Sequence, residues 1–292
     1  MWTQESYKKN QEKGILYLVP TPIGNLEDMT MRAIRVLKEA DILAAEDTRQ
    51  TMKLCNHFDI HTQLVSYHEH NKQTSGEKLI QALQEGKSVA IVTDAGTPAI
   101  SDPGYDLVVR CIENKINIVP LPGANAAITA LIASGLDTEH FLFYGFLPRQ
   151  KKQKQEALES LSHLPYSLIF YESPYRVKET IESLHQTLGN RRVTLSRELT
   201  KTYETMVRGT LQEIIQAFSK LTIKGEYCLI VEGASDNEQP SQTWWDDLNL
   251  KEHLTHYIKV KQMSSKDAIK VVAKERGIPK REVYQYYIET FK

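Results

Sequence analysis

The chain has 292 residues, 41% of them apolar, and its 36 Lys and Arg against 37 Asp and Glu leave a net charge of −1. That balance excludes uniform coating of nucleic acid but leaves local basic patches open, and the length is long for one core, so two domains and a smaller part are expected. The longest weakly polar run, 125–136, falls far short of the roughly 20 residues that cross a bilayer, and the polar segment 1–13 lacks the apolar stretch of a secretory signal.

Segment 1–13 therefore reads as a loose tail on a cytoplasmic protein. From 14 to 147, apolar strand-like runs alternate with amphipathic helical stretches, the pattern of an α/β domain with a largely parallel sheet. Strands are predicted over 15–19, 42–45, 63–67, 89–93, 116–119 and 141–144. Helices are predicted over 31–40, 77–85, 105–114 and 126–134, where apolar residues recur three and four apart. Around 148–155 the composition turns to Pro, Arg, Lys and Gln, which reads as an exposed connector and a domain boundary. A second, smaller α/β domain over 148–233 follows, with strands at 167–171, 193–197, 203–208 and 227–231 and helices at 175–188 and 211–220. The polar stretch 234–243, with Pro240, reads as a linker. Beyond it, 244–292 is a small helical region with helices over 265–277 and 279–288. That spacing fits a helix-turn-helix and equally a hairpin used for packing or dimerisation.

Cys55, Cys111 and Cys228 are widely separated in apolar stretches, which points to buried thiols in a reducing compartment and not to a disulfide or metal motif. Positive charge is concentrated in two places. Arg149, Lys151, Lys152 and Lys154 crowd one short stretch, and 251–292 holds ten Lys and Arg against five Asp and Glu. Both could neutralise RNA phosphates, and both could be solvated surface.

Three loops carry the chemical signal. The first strand ends in Pro20-Thr21-Pro22-Ile23-Gly24-Asn25-Leu26, a stiff loop that is neither a Rossmann fingerprint nor a P-loop and that a tight turn also explains. The fourth ends in 94–104, Asp-Ala-Gly-Thr-Pro-Ala-Ile-Ser-Asp-Pro-Gly, where small residues admit a ligand to the backbone and Asp94 offers a carboxylate to amino or hydroxyl groups. The fifth ends in 120–126, Pro-Leu-Pro-Gly-Ala-Asn-Ala. Three such loops at one sheet edge imply one crevice, suited to a nucleoside-like ligand.

With Tyr171-Glu172-Ser173-Pro174, Arg197-Glu198-Leu199-Thr200-Lys201 and Gly225-Glu226-Tyr227, these loops make the chain resemble the tetrapyrrole methylase superfamily from about residue 14 to 233. The first loop lacks the glycine-rich, acidic-ended form of the small-molecule members, which favours the ribosomal RNA branch. The resemblance implies two α/β domains with S-adenosylmethionine in the cleft between them, in a homodimer. It implies that Ile23, Asp94, Gly96, Thr97, Ala124, Asn125, Tyr171, Leu199 and Tyr227 surround the cofactor. The reaction implied is 2′-O-methylation of a cytidine in the decoding region of 16S ribosomal RNA, within the small subunit.

Such a transfer must manage one proton, because a ribose hydroxyl is a weak acid. Lys201 and Glu198 are candidates for a base or a local charge, with Asp47, Arg49 and His68 approaching from the other domain. Each has a plainer explanation: Asp47 suits a helix N-cap, Lys201 a solvated surface. His68 and His70 find no third and fourth metal ligand at usable spacing, so no metal is expected. Two other functions remain open: a small-molecule methylase of the same superfamily, and a nucleotide-sensing regulator that binds nucleic acid without turnover.

Overall fold

A computed structural model of the chain describes residues 1–5, 13–221, 223–235, 245 and 248–291. The first half runs β1 (Ile15–Leu18), α1 (Met31–Glu39), β2 (Ile42–Ala45), α2 (Thr48–Phe58), β3 (Gln63–Ser66), α3 (Lys72–Gln84), β4 (Val89–Val92), α4 (Tyr105–Glu113), β5 (Asn117–Pro120) and α5 (Ala126–Ile132). Its strands form one parallel sheet in the order β3-β2-β4-β1-β5. A parallel sheet must be covered on both faces, and alternation along the strands provides for it. Leu43, Ala45, Ala90 and Val92 meet α1 and α2, whereas Ala44, Val89 and Ile91 meet α3 and α4.

Local chemistry sets the helix ends. The Thr30 hydroxyl accepts from the Ala33 amide (3.1 Å) to open α1. Helix α2 opens on Asp47 and stops at Asp59, which takes the left-handed conformation (φ 54°). It was absent from the predicted elements because Thr51 and Cys55, not large aliphatic side chains, form its buried face. The N-terminal tail is not wholly loose: the Gln4 side chain donates to the Ile118 carbonyl (2.6 Å) and accepts from the Ile118 amide (2.8 Å) on edge strand β5. Residues 6–12 lie outside the described residues.

The second half contributes β6 (Phe141–Phe146), α6 (Lys151–Leu161), β7 (Ser167–Glu172), α7 (Val177–Leu188), β8 (Arg192–Arg197), β9 (Thr205–Thr210), α8 (Leu211–Ala217) and β10 (Tyr227–Val231). Its sheet has the order β6-β7-β10-β8-β9, parallel only between β6 and β7. The strand expected over 141–144 at the end of the first domain thus belongs to the second sheet, and the expected boundary at 147/148 falls between two hydrogen-bonded strands. The polar stretch that suggested a connector is the start of α6, whose apolar side buries Leu158 and Leu161. Strand β6 carries a bulge between Phe143 and Gly145.

Helices α6, α7 and α8 cover one face of this sheet. The other face receives α5: Ala127, Ala130 and Leu131 share a core with Ile169, Cys228 and Ile230. The last helix of the first half is therefore packed into the second sheet, and residues Met1–Ala234 form one compact unit.

Residues Ser235–Lys292 form a second unit. It contains α9 (Leu250–Thr255), a π-helical turn (His256–Val260), α10 (Ser265–Glu275) and α11 (Lys280–Phe291) around Leu254, Ile269, Val272, Ala273 and Val283. Gly277 (φ 63°) lies in the turn between α10 and α11. Of the expected linker 234–243, only Ala234 and Ser235 are described. Among the described residues no helix is long and apolar enough to cross a membrane.

Candidate active site

The chain leaves the neighbouring strands β1 and β4 in opposite directions across the first sheet, the place where an α/β sheet opens a crevice. The loops there are knitted together. The Thr21 and Gly96 amides each donate to the other's carbonyl (2.9 and 3.0 Å), and the Thr21 hydroxyl donates to the Thr93 carbonyl (3.0 Å). Gly123 lies flat against Pro20, where a Cβ would come within 2.6 Å of the ring. Opposite stand the ends of the second-sheet strands, brought near by α5.

A cavity of about 410 Å³ lies between these edges. Its size is that of a site for a small molecule or cofactor. Eight of the nine residues expected around the cofactor line it: Ile23, Asp94, Gly96, Thr97, Asn125, Tyr171, Leu199 and Tyr227. Ala124 is not in the wall, and its carbonyl accepts from the Thr97 hydroxyl (3.0 Å). The Tyr171 hydroxyl accepts from the Ala127 amide (3.0 Å) at the start of α5, and the edges of Phe143 and Phe146 meet its ring (5.0 and 5.7 Å between centroids). Burial pushes this phenol up, so it stays neutral.

Five carboxylates, Glu46, Asp94, Asp102, Glu172 and Glu226, share the wall. Burial, and then the negative charges of Glu46 and Asp94, push Asp102 up to about 7, against the pull of the neighbouring Thr93 hydroxyl. Burial and Asp94 also raise Glu46. Glu172 is in the wall but occupied elsewhere, accepting from the Thr180 hydroxyl (2.7 Å) and the Ser173 amide (2.8 Å). Ser196 Oγ is fully buried and has no hydrogen-bond partner among the described residues. Non-glycine residues in the left-handed region bracket the wall loops: Ala99 (66°), Ser101 (62°), Glu198 (53°) and Thr200 (67°). Such conformations cost energy and cluster at ligand sites.

None of the five expected catalytic residues lines the cavity. Asp47 donates its amide to Asp94 Oδ1 (3.1 Å), while its carboxylate caps α2 through the Arg49 amide (2.8 Å) and pairs with the exposed Arg49 guanidinium (3.1 Å). His68 Nδ1 is buried without a partner among the described residues. No group of three or more His, Cys, Asp or Glu among those residues is arranged to hold a metal ion.

Lys201 Nζ lies 3.0 Å from both Glu198 and Glu226. Burial works against its charge, but those two hydrogen bonds outweigh it and raise its affinity for the proton. Of the two roles open to Lys201, a base or a local charge, these contacts favour the positive charge. In Glu198, burial is likewise outweighed, by Lys201 and the Glu226 amide, and the carboxyl is held low. Gly24 packs directly on the Lys201 side chain, with no room between them for even a methyl group, and this close contact ties the first loop to the second sheet.

Arg149, Lys151 and Lys152 are exposed at the start of α6, just beyond the cavity residue Phe146. Lys154 is not available to RNA: its side chain is 4% exposed and its ammonium lies 2.5 Å from Glu179. Helical periodicity explains this, since Lys154, Leu158 and Leu161 share the buried side of α6. In the sequence Asp102 stands within the 94–104 loop with no role marked for it, and neither Glu46 nor Ser196 stands out. No local pattern marks them, because their burial arises from the meeting of two sheets.

Residues 15–215 match the family model of tetrapyrrole (corrin/porphyrin) methylases. The chain is 60% identical, over 98% of its length and 99% of the relative's, to ribosomal RNA small subunit methyltransferase I of Halalkalibacterium halodurans. It is 54% identical to the protein of that name in Bacillus subtilis, over 97% of each chain. Among solved structures, uroporphyrin-III C-methyl transferase from Thermus thermophilus, complexed with S-adenyl homocysteine, matches with a TM-score of 0.53 and 20% identity over 75% of this chain and 97% of that one. The chain belongs to the tetrapyrrole methylase family, as an S-adenosylmethionine-dependent methyltransferase whose relatives are ribosomal RNA small subunit methyltransferases I.

Proposed function

We propose that the chain transfers a methyl group from S-adenosylmethionine to the 2′-hydroxyl of a cytidine in the decoding region of 16S ribosomal RNA, within the small subunit. The observation that carries this reading is the cavity between the two sheets, walled by residues from both. Its fit to the cofactor rests on chemistry already described. The carboxylates of Glu46, Asp94 and Glu226 suit a ligand that carries a sulfonium and an ammonium group, and the unpartnered Ser196 hydroxyl offers a further polar contact. Ile23, Gly96, Thr97, Asn125, Tyr171, Leu199 and Tyr227, with Asp94, would hold it.

When bound, the cofactor supplies an electrophilic carbon and its own leaving group, so the protein has to align the acceptor and manage one proton. The knitted loops fix the walls, Tyr171 anchors α5 to the second sheet, and Lys201 balances the charge of Glu226. Arg149, Lys151 and Lys152 would neutralise phosphates beside the mouth. A target ribose would be presented from an unpaired or opened segment, since a cavity cannot enclose a ribose held in an intact duplex. The homodimer that the family resemblance implies would have the exposed side chains of Ile128 and Ile132 on α5 and Tyr105 and Ile112 on α4 available to an interface. Three buried free thiols support a reducing, cytoplasmic setting.

The test is incubation with tritiated S-adenosylmethionine and small ribosomal subunits from a strain lacking this enzyme, with tetrapyrroles as a parallel arm. Label in a 2′-O-methylcytidine of the decoding region is expected. Label in the tetrapyrrole alone, or none in RNA, overturns the reading.

A further inference from the structure

The loop after β4 does more than border the cavity. Between Ala99 and Ser101, both left-handed, it doubles back, and the Ala99 amide reaches the Pro103 carbonyl (3.2 Å). Ser101 then seats on the second sheet at the β6 bulge, where a Cβ on Gly145 (φ 80°) would come within 3.0 Å of its hydroxyl. The bulge and the missing side chain make room for the loop, and the next residue, Asp102, is thereby held in the cavity wall. A carboxylate could far more cheaply face water. Backbone strain maintained to hold a further carboxylate in a wall that already carries Glu46, Asp94 and Glu226 is the mark of a positioned functional group.

We propose that Asp102 is the proton acceptor of the methyl transfer, taking the hydrogen of the ribose 2′-hydroxyl. The assignment rests on the ribose hydroxyl being the acceptor, as argued above. As the ribose oxygen forms its bond to the methyl carbon, its O–H bond breaks and the proton passes to the Asp102 carboxylate. The carbon–sulfur bond breaks with its electron pair going to sulfur, and Asp102 later returns the proton to solvent.

The other candidates are less suited. Lys201 already holds its proton, Glu198 is engaged by Lys201, and the Asp47 carboxylate is spent on α2 and Arg49. The charges facing Asp102 are Glu46 after β2, Asp94 after β4 and Glu226 before β10, the last paired to Lys201. Together with burial they give Asp102 a proton affinity near neutrality, where a general base works best. Ser196, from β8 on the second sheet, gives the same cavity an unsatisfied polar contact that points to a ligand independently of the carboxylates.

The experiment compares wild type, Asp102→Asn and Asp102→Glu by single-turnover methylation of subunits across pH, cofactor binding by calorimetry, and carbon-13 carboxyl titration of the ligand-free protein. Expected are a wild-type rate that falls on the acid side with a midpoint at or below 7, and a carboxyl resonance titrating near 7 that Asp102→Asn removes. Asp102→Asn should lose roughly a hundredfold or more of the rate together with its acid limb. Its cofactor affinity should stay within about threefold, which shows that it is folded, and Asp102→Glu should restore part of the rate. An Asp102→Asn enzyme within about threefold of wild type with the same pH profile overturns the assignment while leaving the function standing. A wild type that labels no RNA overturns the function and the assignment with it.

Discussion

Asp102 carries its cost in the folded state. Its carboxyl is raised from the ordinary range near 4 to about 7, so between those values the folded chain holds a proton that the unfolded chain has released. Stability therefore falls as pH rises through that window, and the loss is complete above it. Asp102→Asn should be more stable than wild type by about 1–3 kcal/mol at pH 8, with the difference gone near pH 4, as read from urea unfolding. An equal gain at both pH values would mean that packing, not charge, is responsible. Legibility at this scale was uneven. The small and cyclic residues of the three loops are visible because such backbones demand Pro and Gly, and it was the family resemblance carried by those loops that placed Ile23, Gly96 and Asn125 in advance. The acid–base character of Asp102 and Lys201 could not be read in this way, since it depends on neighbours supplied by strands far away in sequence.

Elements were legible where their apolar rhythm was strong. The parallel strands and α1, α4 and α7 fall close to their expected bounds. Helix α6 shows the failure: its opening residues are charged, and Lys154 sits on the buried side, stretched to Glu179 through an otherwise apolar face. Lys154 and Lys152 should behave oppositely on truncation to alanine. Lys154→Ala should cost about 1–3 kcal/mol in urea unfolding, by leaving a packing defect and an unpaired Glu179, without altering the salt dependence of RNA binding. Lys152, 88% exposed, should change stability by less than about 0.5 kcal/mol and weaken RNA binding, with a shallower salt slope if it meets a phosphate. Strand β6 was assigned to the wrong sheet for a related reason. Its partner β7 lies beyond the charged stretch, and nothing local to 141–146 says which sheet it joins.

For the whole molecule, the division into residues 1–234 and 235–292 separates the cavity from the most basic part of the chain. Lys251, Lys259, Lys261, Lys266, Lys270, Lys274, Lys280 and Arg281 are all exposed in the second unit. Chains ending at Ala234 should bind S-adenosylmethionine within about twofold of the full chain but lose roughly tenfold or more in affinity for ribosomal RNA near 0.1 M salt, as measured by filter binding. Unchanged RNA affinity would assign the second unit to packing or dimerisation, the other use its helical spacing allows. The two-sheet plan itself was readable from the alternation of strands and helices. That α5 crosses into the second sheet, and so packs the two α/β domains into one compact unit, was not, because an amphipathic helix does not reveal which sheet it covers.

The position of β10 sets the order in which this protein can become active. Among the described residues it is the last strand made, yet it is the middle one of its sheet, and without it β6-β7 and β8-β9 are separate pairs with nothing between them. The first sheet is complete once β5 has emerged from the ribosome; the second must wait, with the facing edges of β7 and β8 open, for a few seconds at ~5–20 residues per second. Open edges are sites of mispairing. Release or stalling before Tyr227 therefore yields a chain with a finished first sheet, one parallel and one antiparallel strand pair with open edges, and no cavity, so synthesis through β10 is the gate through which this enzyme acquires its site.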